Sequence, residues 1–227
     1  MSQIQIQCDN FKRDHFLEHL ETVSRLHHIL KHSKVILDVG SNIGLFSYAI
    51  KQLEEDCQIH LFEPVQYYLL YSKKLLGEMG NDIIFNQKGV SDVPGQLTIY
   101  KSTNENIGWN SYLLSDPFQK KGVLPIEQMA SEITEVITLD QYCQENNINK
   151  IDFVKIDVEG YEHKVLKGFM STLRKLDQKP YLYIEVGWGT RHPNWDEANS
   201  IYQELFELGY QRVEFTNKTQ DILFKPS

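Results

Sequence analysis

The sequence predicts an α/β protein whose core is a mostly parallel sheet. Short apolar runs recur at residues 35–37, 59–62, 83–85, 151–156 and 181–186, and between them lie segments with apolar residues at helical spacing. Strands that alternate with helices pair as parallel βαβ units. A further observation concerns where the runs stop. Asp38, Glu63 and Asp157 follow three of them and Glu185 closes a fourth. Ligands of open α/β sheets bind beyond the carboxyl ends of the strands, so these acids stand where a site would be.

The elements follow in order. Phe16, Leu20, Val23, Leu26 and Leu30 form one helical stripe within a helix expected over residues 11–31, with Asn10 as its N-cap. After the first strand a glycine turn leads into a helix over 45–53. Pro64 suits the first turn of the next helix, which runs to about Gly77. Leu97 and Ile99 alternate with polar neighbours in a half-exposed strand, and residues 102–124 are polar and irregular around Trp109. Thr138 is placed to cap a helix over 139–146. The helix after residue 157 carries Val165, Leu166, Phe169, Leu173 and Leu176 on one stripe, and residues 197–208 form another. Residues 210–215 and 221–224 read as a closing antiparallel hairpin with its turn at Asn217, an addition common at the edge of such sheets. No linker is visible. The expectation is one domain over 1–227, with a helical extension (1–33) on a core (34–227).

Composition narrows the function classes. With 41% hydrophobic and 24% charged residues, the 227-residue chain is neither disordered, fibrous nor a coiled coil. Its 23 basic against 31 acidic residues leave a formal charge of −8, which argues against a nucleic-acid partner. The N-terminus has no apolar core of a leader, and the apolar runs fall far short of the ~20 residues that span a bilayer. Cys8, Cys57 and Cys143 are scattered, without a CxxC pair, so reduced thiols in the cytoplasm are expected and a structural zinc site is not.

The chemistry is concentrated at Asp38-Val-Gly40-Ser-Asn42-Ile-Gly44, a strand, a turn and a helix start. Gly40 and Gly44 permit the tight turn and remove side chains where a ligand approaches the backbone. Asn42 breaks the GxGxxG pattern, and the Lys-Ser/Thr of a phosphate-cradling loop is missing. Glu63 follows Gly40 by 63 − 40 = 23 residues, near the ~20-residue offset of an acid that binds ribose hydroxyls. A turn that merely joined strand to helix would not require that acid, so the pair points to a nucleoside.

Four segments together carry a resemblance. They are 38–44, Phe62-Glu63-Pro64, Gly89-Val-Ser-Asp92 and, most specifically, the 151–168 run Ile-Asp-Phe-Val-Lys-Ile-Asp-Val-Glu-Gly-Tyr-Glu-His-Lys-Val-Leu-Lys-Gly. They resemble the FkbM family of S-adenosylmethionine-dependent methyltransferases over about residues 35–185. The resemblance implies a Rossmann-like class I methyltransferase sandwich with a seven-stranded sheet, and methyl transfer to a hydroxyl of a small molecule or glycan. It specifies neither the first helix, nor the Trp109 loop, nor the chain after Glu185.

The residues divide by chemistry under that reading. Asp38, Gly40, Asn42 and Gly44 hold the amino-acid end of S-adenosylmethionine beside a helix N-terminus. Glu63 accepts the ribose hydroxyls. Ser91 and Asp92 meet the adenine, although Asp92 also reads as a turn acid before Pro94. Asp157 faces the ammonium or sulfonium, or serves as base with Glu185, and Glu159 is the reserve; Asp157 and Glu159 also suit helix capping. Trp109 with Asn110, and Trp188 with Arg191 and His192, form two aromatic, polar loops suited to a sugar acceptor, or simply pack those loops. His163 and the His27–His28 pair are expected on solvated helix faces, and His15, His19 and His32 are assigned no role. Asp157 and Glu185 could share a divalent metal, which is not excluded, but no third ligand stands at a convincing spacing. A nicotinamide-dependent oxidoreductase and a non-catalytic nucleoside-binding domain are the alternatives. Oligomeric state leaves no mark in the sequence.

Overall fold

The computed structural model describes residues 3–54, 56–80, 82–101, 107–113, 130–186, 189–214 and 221–227. The chain begins with α1 (Gln3–Leu30), followed by β1 (Val35–Val39), α2 (Leu45–Leu53), β2 (Gln58–Phe62), α3 (Gln66–Leu76) and β3 (Ile83–Asn86). Then come β4 (Gly89–Val90), β5 (Gly95–Tyr100), β6 (Ser131–Ile137), α4 (Leu139–Glu145) and β7 (Phe153–Ile156). The last part holds α5 (Glu162–Lys167), α6 (Met170–Lys175), β8 (Tyr181–Glu185), α7 (Trp195–Glu207), β9 (Gln211–Glu214) and β10 (Asp221–Lys225).

Seven strands form the main sheet in the order β3-β2-β1-β7-β8-β10-β9. The first five run parallel, and β10 and β9 are antiparallel additions. This is the expected α/β sandwich, with the hairpin turn at Asn217 outside the described residues. Alternation along each strand sends side chains to opposite faces. Ile36, Phe153, Tyr183 and Leu223 pack under α1 and α2. Leu37, Val154, Leu182 and Phe224 pack under α5 to α7. Both faces are covered, so the central strands are mostly apolar, with His60, Asp38 and Lys155 as buried exceptions.

Several expectations shift. Helix α1 starts seven residues before Asn10, which therefore lies inside it. Tertiary contacts extend it: Cys8 is fully buried, Tyr71 donates to Asp9 at 2.7 Å and Tyr67 to Gln5 at 3.3 Å, all toward α3. Pro64 precedes α3 rather than entering it. The helix after residue 157 is two short helices, broken at Gly168, where a Cβ would lie 2.2 Å from the Ser91 carbonyl oxygen. Strand β6 is an element that the sequence reading does not include, although four of its seven residues are β-branched. It joins β4 and β5 in a separate three-stranded sheet, which takes β5 out of the main one. Thr138 does cap α4, accepting from the Gln141 N–H at 3.0 Å.

The turn after β1 is locked to the end of β7. Gly40 has φ +75°, and a Cβ there would sit 1.8 Å from the Asp157 carbonyl oxygen. The glycine is thus required by backbone packing whether or not a ligand is present. Gly80 also has a positive φ, +110°, but nothing lies within 4 Å of its absent Cβ. Gly80→Ala should cost about 1–2 kcal/mol of backbone strain, and Gly40→Ala about 2–5 kcal/mol because the clash adds to the strain. Urea unfolding of the two variants measures the difference; equal losses would mean that the Asp157 contact does not constrain the turn.

Candidate active site

A cavity of about 320 Å³ opens at the carboxyl ends of β1, β2, β7 and β8. That volume falls within the range of small-ligand sites. The position is the point where strand order reverses, with β2 on one side of β1 and β7 on the other.

The turn after β1 forms its floor. The Gly40 and Ser41 N–H groups both donate to the Phe62 carbonyl, at 3.1 and 3.0 Å, tying the turn to the end of β2. Asn42 adopts φ +50°, a conformation that asparagine tolerates better than most residues. Its side chain accepts from the Ile43 N–H at 2.7 Å and donates to the Ile107 carbonyl at 2.9 Å, so it carries the Trp109 loop. Glu63 is buried and accepts from the Val65 and Asn42 N–H groups at 2.7 and 3.0 Å. Burial outweighs those two bonds and raises its carboxyl to about 7.

Lys155 sits at the centre, and sequence reading missed it. It projects from β7 to the face that carries Asp38, where its ammonium lies 3.1 Å from Asp157, 3.6 Å from Asp38 and 2.8 Å from the Gly40 carbonyl. Burial works against the ammonium, but the two carboxylates outweigh it and its pKa shifts upward. One positive charge cannot serve two buried carboxylates equally. Asp157, the nearer, is lowered by Lys155 against the pull of burial. Asp38 is raised by burial; Ser47 donates to one oxygen at 2.6 Å, and the other has no hydrogen-bond partner among the described residues. The missed signal was a lysine inside the apolar run Phe-Val-Lys-Ile, which a buried strand tolerates only with a counter-charge.

Glu185 lies next to Asp157 and is raised well above its ordinary range, by burial first and the Asp157 charge second. Asp157 therefore favours its charged form, and Glu185 gives up its proton less readily. Glu159 completes a cluster in which oxygens of the three acids lie within 4.8 Å of one another. Here is the third ligand that sequence spacing did not reveal. Yet Lys155 already supplies the counter-charge to Asp157, so the cluster has less need of a cation.

The cavity brings together Gly40, Asn42, Glu63, Asp157, Glu159 and Glu185, with Trp109 and Asn110 on the loop side. Other expected residues do not line it. Asp38 and Gly44 support the turn from beneath, Gly44 packing against Ser72 and Leu76 of α3. Ser91 is buried, and Asp92 pairs with Lys164 and Lys167 at 3.5 and 3.4 Å, docking α5. Lys88, Gly89 and Val90 of the same segment do reach the cavity. Arg191 lies outside it, and the His192 ring donates to the Gly160 carbonyl at 2.6 Å and accepts from Asn194, bracing the 158–160 turn. Trp188 lies outside the described residues. His163, expected on a solvated face, is 1% exposed and lies edge-on to His192 at 5.0 Å, lowered by burial to about 4. Five α1 residues complete the cavity: Phe11, His15, Glu18, His19 and Thr22. Two of them, His15 and His19, had been given no role.

The chain matches the family model described as the methyltransferase FkbM domain over residues 38–212. The chain belongs to the FkbM methyltransferase family. It is 28% identical over 161 residues to the 2-O-methyltransferase NoeI of Sinorhizobium fredii, covering 69% of this chain and 65% of that protein. It is 26% identical over 187 residues to the methyltransferase sdnD of Sordaria araneosa, covering 72% and 69%. The matches thus span about two thirds of the length of these relatives. A solved O-methyltransferase from Bacillus cereus, in complex with SAH, shares the fold at a TM-score of 0.51 and 10% identity, over 92% of this chain and 79% of that one. Among the described residues no helix is long and apolar enough to cross a membrane.

Glu63 and the buried Glu162, which accepts from the Val158 and Gly160 N–H groups, are both raised to about 7 by burial. Through the window from the ordinary carboxylate range up to about 7 these two groups bind more protons in the folded chain than in the unfolded one. Their contribution to stability therefore falls as pH rises through it. Glu63→Gln should reduce that decline by about 1–3 kcal/mol, as read from urea melts between about pH 5 and about pH 8. An unchanged slope would show that Glu63 is not held protonated.

Proposed function

We propose that the protein is an S-adenosylmethionine-dependent O-methyltransferase acting on a hydroxyl of a small molecule or glycan, with a sugar as the first acceptor class to test. The observation that carries this reading is Glu63. It is fixed at the end of β2 by two backbone N–H groups, at the cavity edge. A carboxylate oxygen has two lone pairs, so each oxygen keeps an acceptor position for a ribose hydroxyl. Family membership supports methyl transfer, and the names of NoeI and of a third relative, the 31-O-demethyl-FK506 methyltransferase FkbM of Streptomyces tacrolimicus (29% identical over 61% of this chain), support oxygen as the acceptor.

The residues present fit that cofactor. Glu63 suits its ribose, the charged Asp157 its ammonium, and Lys88 to Val90 border the region left for its adenine. When bound, S-adenosylmethionine supplies a methyl group on a cationic sulfur. The chain's own work is then to align the acceptor oxygen, to exclude water and to receive the hydroxyl proton. Asp157 is a weak base, because Lys155 stabilises its charge. Glu185 is the stronger base once ionised, because burial and the Asp157 charge make it hold a proton more tightly. Turnover should therefore rise with pH as Glu185 ionises. Glu159 is near enough to add its field to that ionisation.

Two outcomes test the reading. Glu63→Ala should weaken binding of S-adenosylmethionine by about 1–3 kcal/mol in calorimetry. Glu185→Gln should lower kcat at least about 10²-fold and remove the rising limb of the pH profile, with cofactor affinity kept. Parent-like kinetics across the pH range would leave positioning alone as the source of rate. On the acceptor side, Trp109→Ala should raise the acceptor KM without changing cofactor affinity; loss of cofactor binding instead would move Trp109 to the other end of the cavity.

A further inference from the structure

Four polar α1 residues at the cavity are spaced i, i+3, i+4 and i+7, so His15, Glu18, His19 and Thr22 share one helix face, with Phe11 one turn before them. The neighbouring stripe, Val23, Leu26 and Leu30, is buried against α2 and the sheet, which fixes how the helix is turned. The cavity thus has a polar wall from α1 facing the strand ends. Trp109 lies on its loop side, and Tyr183 and Asp221 line it from the β8–β10 edge.

The titratable side chains of that chamber are mostly acids. Glu18, Asp157, Glu159, Glu185 and Asp221 all border it. Two lysines border it as well, and both are engaged: Lys155 with Asp157 and Asp38, and Lys88 with Glu135 at 2.6 Å. His15 lies 3.5 Å from Glu18. His19 is lowered to about 4, by burial first and by Lys155 second, so it is uncharged at neutral pH. A phosphate or carboxylate on the acceptor would enter among these acids and lose its water without a new counter-charge from the described residues. Hydroxyl groups meet the opposite situation. They donate to carboxylates, to a neutral imidazole and to the Thr22 oxygen, whose own proton is directed at Tyr183.

Resting on the O-methyltransferase reading, we infer that the acceptor is an uncharged polyhydroxylated compound, a glycoside bearing neither phosphate nor carboxylate, held between the Trp109 loop and the His15–Glu18–His19–Thr22 face of α1. The helix that precedes the catalytic fold is then the specificity element, and Glu18 at its exposed edge guards the entrance against anions.

Saturation-transfer NMR tests this on the whole chain loaded with S-adenosylhomocysteine. The probes are methyl glucoside, methyl glucuronide and glucose 6-phosphate in one mixture. Calorimetry with S-adenosylhomocysteine comes first, and failure to bind it would sink the parent reading rather than this one. With the cofactor product bound, signal is expected from the neutral glycoside at least tenfold above either anion. Glu18→Lys should keep affinity for S-adenosylhomocysteine and raise the phosphate signal severalfold, a gain that a misfolded variant cannot produce. Equal signals from neutral and anionic sugars, no signal from the neutral glycoside, or no change in the phosphate signal with Glu18→Lys would each overturn the proposal.

Discussion

A buried ammonium organises this molecule. Lys155 stands on a central strand with its charge between Asp38 of β1 and Asp157 just past β7, and its third partner is the Gly40 carbonyl. Removing a buried charge's partners costs several kcal/mol, so the ends of the two strands are held in one arrangement. The Gly40 turn lies against the Asp157 carbonyl with no room for a side chain between them. The same contact sets the acid–base character of the site. Because Lys155 favours the charged form of Asp157, the adjacent Glu185 holds a proton more tightly. One cation thereby pushes the proton affinities of two neighbouring acids apart, and the two are suited to different tasks.

The cavity divides along the same line. Residues on the β1–β2 side hold fixed backbone-supported acceptors, Glu63 above all. Residues on the β7–β8 side form the carboxylate cluster, and α1 closes the chamber over it. Water exclusion depends on that helix, since the sheet alone would leave the strand ends open. The α1 contacts with α3 through Asp9 and Gln5 explain how the helix is anchored at its outer end.

Some motif residues act at one remove. Gly168 lets the Ser91 backbone pass close by, and Asp92 secures Lys164 and Lys167, so the 89–92 segment joins β4 to α5. Glu162 and His192 together support the 158–160 turn from below, by accepting its N–H groups and donating to its carbonyl. These groups shape the carboxylate cluster without lining the cavity.

The βαβ order, the glycine turn after β1 and the acids at four strand ends were legible because each is a local pattern: alternation of apolar runs, turn chemistry and residue offset. Those patterns also located Glu63, Asp157, Glu159 and Glu185, since topology alone brings strand ends to one crevice. Local pattern could not distinguish residues that face the cavity from residues that hold its walls, which is why Asp38, Asp92 and His192 read as ligand contacts. Nor could it show Lys155, whose meaning depends on two acids, one of them 117 positions away (155 − 38), becoming its neighbours. The role of α1 is of the same kind. Its period revealed a helix and an apolar stripe, but the identity of the polar face that closes the cavity was decided only when that stripe packed against α2 and the sheet.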